Sequence, residues 1–143
     1  MADILQDFPI AAPAARVFAA VTAPAGLDQW WTMSSEGTPS PGSEYALDFG
    51  PAYQWKARVV ACVPDKEFEL ELTVAMPDWM RTRVGFRLED RGRDTWVRFS
   101  HRGWPAADEH YRISSHCWAL YLRILRRHLE HGERVPYADR LSA

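Results

Sequence analysis

The chain has 143 residues, 47% of them hydrophobic, which suits one domain able to bury a real core and leaves little room for two. Net charge is −2, with 17 Lys+Arg against 19 Asp+Glu interspersed and no basic stripe, so there is no electrostatic case for nucleic acid. The N-terminus lacks the basic and apolar regions of a signal peptide, and the unbroken apolar runs are too short for a membrane span.

Ile4 to Ile10 reads as a first strand, closed by the Ala12-Pro13 turn. Pro13 then opens a short helix on which Ala14, Ala15, Val17, Phe18 and Val21 share one side. Thr22-Ala23-Pro24 breaks it, and Pro24 begins a second short helix through Leu27 to Trp31. Thr32 to Gly42 is expected as loop, being rich in Ser, Gly and Pro.

From Tyr45 the apolar period changes to two. Tyr45, Leu47 and Phe49 alternate with polar or small neighbours, as do Tyr53 to Val63, Phe68 to Val74, Val84 to Leu88, and Val97 to Phe99. Short turns join these five half-buried strands into an antiparallel meander. The link from Ala75 to Met80, which holds Pro77 and Trp79, is longer. By parity Arg58, Arg83 and Arg87 face solvent, as do Glu67, Glu69 and Glu71. Asp108 is a fair N-cap for a final helix ending near His131 at Gly132. Trp118, Leu122, Leu125 and Leu129 form its apolar flank, widened by Cys117, Leu120, Tyr121 and Ile124. At about 36 Å it is long enough to cross the whole sheet. The expected division is a domain over 1–132 and a polar, loosely attached tail over 133–143.

This order gives an α+β fold: a curved antiparallel sheet wrapped around a long C-terminal helix. A bent sheet cannot pack flush on one straight rod, which predicts an apolar gap for a small molecule. The sequence resembles the helix-grip superfamily of START-related, birch-pollen-allergen-like and polyketide-cyclase-like proteins. Within it, the chain is most similar to small bacterial relatives of the C-terminal domain of the heat-shock protein 90 ATPase activator. The pieces that carry the likeness are Ala12-Pro13-Ala14-Ala15-Arg16-Val17-Phe18, Leu27-Asp28-Gln29-Trp30-Trp31, Thr95 with Val97 and Phe99 leading into His101-Arg102-Gly103-Trp104, and Trp118, Leu122 and Leu125. The resemblance implies a hydrophobic or aromatic ligand between sheet and helix, with Trp30 and Trp31 at the mouth. It fixes no activity, because this fold hosts transfer proteins, cyclases and hydrolases alike.

The residues expected around such a ligand are Trp30, Trp31, Tyr53, Trp55, Phe68, Phe86, Phe99, His101, Trp118, Tyr121 and Leu125. His101 shares the parity of Val97 and Phe99, so it either meets a ligand or is satisfied by backbone or a helix residue. Tyr121 needs a partner for its hydroxyl, from ligand or protein. No catalytic residue, metal site or cofactor is expected. His128 and His131 stand three apart on a helix end, which is weak evidence for a metal, and the sequence holds neither a Gly-x-Ser-x-Gly elbow nor a phosphate-cradling loop. Cys62 and Cys117 read as reduced residues of a cytoplasmic protein. Two alternatives remain: a cyclase-, aromatase- or hydrolase-type enzyme using the same gap, and an interaction module with a chaperone partner. Homodimerisation is left open.

Overall fold

The computed structural model describes residues 1–142. Its elements run β1 (Ala2–Ile10), α1 (Ala14–Thr22), α2 (Pro24–Leu27), β2 (Ser34–Glu36), β3 (Glu44–Asp48), β4 (Gln54–Val63), β5 (Glu67–Val74), β6 (Arg83–Asp90), β7 (Thr95–Trp104) and α3 (Glu109–His131), followed by a short 3-10 helix, Tyr137–Ser142. The seven strands form one curved antiparallel sheet in the order β1-β7-β6-β5-β4-β3-β2. The chain therefore meanders from β2 to β7, and β1 closes the far side by pairing with the last strand.

Alternation decides which side of each strand is buried. Phe68, Leu70 and Leu72 of β5 turn inward and the glutamates between them turn out; Val84, Phe86 and Leu88 do the same on β6. The inward set meets α3, whose Trp118, Leu122, Leu125 and Leu129 recur at helical spacing and are all buried. Asp108 caps α3 by accepting from the Tyr111 amide at 3.2 Å, and Gly132 ends it at φ 68, a left-handed conformation that costs glycine little. The helix end is tied to the turn before α1 and to α1 itself: Glu130 accepts from the Ala11 amide at 2.8 Å, and Arg16 donates to the Leu129 carbonyl at 3.2 Å.

Three expectations change. The segment read as loop contains β2, because Ser34, Ser35 and Glu36 pair with Asp48, Leu47 and Ala46 of β3. The second helix stops at Leu27, and the chain turns on through Trp31, whose amide still donates to the Leu27 carbonyl at 2.9 Å. The tail does not hang free over residues 133–142. Arg140 is buried and donates to the carbonyls of Asp28 at 2.6 Å, Thr32 at 3.0 Å and Val135 at 3.2 Å. Those carbonyls lie in a turn and in the tail itself, outside any regular ladder, and a guanidinium fork can serve all three. Ala143, the last residue of the expected tail, lies outside the described residues.

Candidate functional site: a ring-lined box closed by Trp79

The link between β5 and β6 folds over the end of the sheet. The Trp79 and Met80 amides both donate to the Met76 carbonyl, and Arg81 turns the chain at φ 65 before β6. This turn drives the Trp79 side chain inward, where it is 7% exposed. Its ring is walled by Trp55 at 4.9 Å between centroids, His101 at 4.5 Å, Trp104 at 5.6 Å and Trp118 at 6.2 Å, the last nearly parallel to it. Such offset and edge-to-face arrangements are the favourable ones for aromatic rings. The Trp79 indole N–H, like that of Trp104, is buried with no acceptor among the described residues. A buried donor is usually paired, so Trp79 is seated by its ring contacts and not pinned by its polar atom.

His101 forms the back of the box and is wholly buried. The Trp118 indole can only donate, and it does so to Nδ1 of His101 at 3.0 Å. Nδ1 is therefore an acceptor, which puts the proton on Nε2. That N–H donates to the Thr82 hydroxyl at 2.8 Å, and the hydroxyl donates to the Trp79 carbonyl at 2.6 Å. The relay runs from helix through strand to link, and both ring nitrogens are spent. Burial, with a smaller push from His110, pulls the His101 pKa down to about 3, so the ring is neutral at ordinary pH. The link is also tied to α3 from outside, where His110 Nδ1 and Asp78 Oδ2 stand 2.5 Å apart.

The other expected residues fall around this centre. Trp31 packs on Trp118 at 5.2 Å, and Phe49 bridges it to Trp55. Trp30, Phe86 and Phe99 make a second ring cluster deeper in the core, where Phe99 touches Trp118 at 4.5 Å and the Trp30 indole donates to the Ala20 carbonyl. Phe68 lies further along with Phe18 and Tyr45. Leu125 is fully buried beneath α3. Tyr53 stands 47% exposed at the rim, edge-on to Trp55. Tyr121 is half-buried beside Trp118, its pKa pushed up to about 12 first by burial and then by the nearby Tyr137 and Cys117.

The open gap expected beneath α3 is filled. Trp30 and Leu125 are 0% exposed and Phe99 and Trp118 1%, which leaves no face of these rings on a space that could hold water. The mismatch between bent sheet and straight helix is real, but the protein's own tryptophans occupy it. Trp79 and Thr82, central here, were not among the residues singled out from sequence. The available signal was a tryptophan in a link between two strands, where turns usually carry small or polar residues. Among the described residues, no group of three or more His, Cys, Asp or Glu is placed to hold a metal ion, and no helix is long and apolar enough to cross a membrane.

Residues 11–130 match the family described as activator of Hsp90 ATPase homolog 1-like protein. The chain belongs to this family. No curated protein matches the sequence of this family member. Among solved structures it is similar to the Aha1 dimer from Colwellia psychrerythraea, at 29% identity and TM-score 0.84, over 93% of this chain and 99% of that one. It is also similar to protein SSP2350 from Staphylococcus saprophyticus, at 18% identity and TM-score 0.78, over 94% and 96% of the two chains. CalU16 from Micromonospora echinospora matches at 20% identity and TM-score 0.75, over 98% and 81%. The last two show the shared fold alone.

Proposed function

We propose that this Hsp90-activator-like protein binds a small planar aromatic molecule in the box now filled by Trp79. The observation that carries the reading is the seating of Trp79: a side chain borne by a link, not by the sheet or α3, lies among four rings with its indole N–H unpaired. A guest of similar size and flatness could take its place when the link swings out, keeping the same ring contacts. For the link to swing out, the Thr82 bond to the Trp79 carbonyl and the His110–Asp78 contact must open, while Met76 and Met80 on the link, and Val74 just before it, already stand exposed. Binding is favoured over catalysis. A cyclase- or hydrolase-type reaction would need His101 or Tyr121 to move a proton, yet the relay spends both nitrogens of His101 and burial holds the Tyr121 proton in place. A cytoplasmic setting belongs to the same proposal, with Cys62 and Cys117 as free thiols.

The test is Trp79→Ala. Removing a buried indole costs about 3–5 kcal/mol and leaves a ring-shaped hole. Indole or naphthalene should restore much of that loss in a thermal melt, and hexanoate should not. The wild type should bind the same aromatic probes more weakly, because each guest must first displace Trp79. A folded variant that gains nothing from indole, together with a wild type that shows no response, would refute the proposal.

A second reading is favoured by one observation. The solved relative at 29% identity is called a dimer, and here Tyr53, Val74, Met76 and Met80 expose apolar surface at the box end. We infer a homodimer, or a chaperone-binding face, at that end. Sedimentation equilibrium of the wild type and of a Met76→Ser, Met80→Ser variant separates these: a monomer in both cases removes the dimer.

A further inference from the structure

The outer face of the sheet, remote from the box, carries a separate arrangement. β6 reads Arg83-Val84-Gly85-Phe86-Arg87 and β7 reads Arg98-Phe99-Ser100-His101-Arg102. Their antiparallel register sets Arg83 opposite Arg102, Gly85 opposite Ser100, and Arg87 opposite Arg98. Since Val84, Phe86, Phe99 and His101 turn inward, the arginines, the glycine and the serine share the outer face. The Cα positions of the four arginines thus frame a rectangle about 5 Å by about 13 Å, with Gly85 and Ser100 at its centre. Like charges directly opposite one another destabilise a strand pair, and this face places two such pairs around one gap.

Neither backbone geometry nor register accounts for Gly85. It has no positive φ, and the pairing on both sides of it runs without a bulge. Glycine within a strand marks a place of close approach when no turn or bulge demands it. A Cβ there would stand 3.2 Å from both Glu69 Oε2 and Ser100 Oγ. Its absence opens a cleft of about 240 Å³ lined also by Arg87, Arg98 and Arg102 and, facing them, by the carboxylates of Asp7, Glu67 and Glu69. Ser100 is only 9% exposed, and its hydroxyl, directed at this cleft, makes no hydrogen bond among the described residues. Arg83, Arg87 and Arg98 are each paired with a carboxylate, respectively Glu69 at 3.5 Å, Glu67 at 3.3 Å and Glu89 at 3.2 Å, and Arg98 also reaches Asp7 at 3.9 Å. Arg102 has no such partner among the described residues. From β1, Leu5 lies beside Ser100 and is 63% exposed, which gives the cleft one apolar wall.

We propose that this cleft binds a small organic oxyanion, a carboxylate or a phosphate monoester attached to an apolar group. The oxyanion accepts from the Ser100 hydroxyl and from the fork of Arg102, the cleft arginine without a carboxylate partner among the described residues, whose planar guanidinium suits bidentate recognition. The apolar part lies against Leu5. Glu69 bounds the cleft on the far side of Gly85 and, with Asp7 and Glu67, limits its affinity as a like charge. This site is independent of the box around Trp79, so neither reading depends on the other.

The experiment is an amide NMR titration of the full chain at low ionic strength, where guanidinium attraction is least screened. The probes are phenyl phosphate, hexanoate and inorganic phosphate. Phenyl phosphate or hexanoate should give saturable shifts centred on Gly85, Ser100 and Arg102, and the tighter of the two identifies the head group. Arg102→Gln changes only an exposed side chain and should weaken binding about tenfold or more. Gly85→Ala fills the floor and should do the same, while Glu69→Gln should tighten it. The proposal is overturned if no probe shifts Gly85 or Ser100 saturably at about 20 mM. It is likewise overturned if inorganic phosphate binds as tightly as both tailed probes, if Arg102→Gln and Gly85→Ala bind like the wild type, or if Glu69→Gln abolishes binding of the anionic probes.

Discussion

Acid should unseat the relay at His101, and the size of the effect follows from its burial. A histidine in the unfolded chain titrates near 6.5, whereas burial holds His101 at about 3 in the fold. Between these values the unfolded chain binds a proton that the folded one refuses, so stability rises with pH across that window. The contribution is complete above about pH 6.5 and is lost progressively as the pH falls toward about 3. From about pH 7 to about pH 4 the loss is about 3 kcal/mol. That is a large part of the 5–15 kcal/mol, roughly, that holds an ordinary domain together. The assay is urea denaturation across this range for the wild type and His101→Gln. Glutamine keeps a donor for Thr82 but gains no charge. The other four histidines are common to both proteins, so the difference between the two curves isolates His101. The variant should begin less stable near neutral pH and lose less on acidification, with the curves converging near pH 4. Parallel curves, or an imidazole that titrates near 6.5 by NMR, would refute the reasoning.

Two further substitutions test how the ends of the domain are held. Arg140→Ala strips donors from three carbonyls and should cost about 2–4 kcal/mol in urea denaturation while exposing the C-terminal segment to protease; an unchanged midpoint would show that the tail is not held as described. Gly26→Ala would place a Cβ 2.6 Å from Ala20 Cα and 2.7 Å from the Ala19 carbonyl oxygen. Backbone cannot yield as a side-chain tip can, so thermal melting should report a loss of about 1–3 kcal/mol from the α1–α2 packing.

Period-two alternation from Tyr45 to Phe99 and the helical stripe from Trp118 to Leu129 are local properties, and each names the side of its element that must be buried. Asp108 and Gly132 bracket α3 for equally local reasons, a side-chain acceptor at one end and a left-handed residue at the other. The α+β architecture with one long helix across a curved sheet follows from these signals. Elements that owe their form to a distant partner left no such mark. Ser34-Ser35-Glu36 has no alternation of its own and is a strand only because β3 lies beside it. Arg140 is polar by any scale, and its burial depends on carbonyls of Asp28 and Thr32 more than a hundred residues away in the chain. The parity of β7 turned His101 inward on paper, but its partners Trp118 and Thr82 come from other elements. The same holds for the space under α3: the sequence determines that a bent sheet and a straight helix must leave room, while only the tertiary structure decides that Trp79 fills it. Periodicity acts over a few residues, whereas filling a gap is settled by which side chains meet there, and no local rule encodes that meeting.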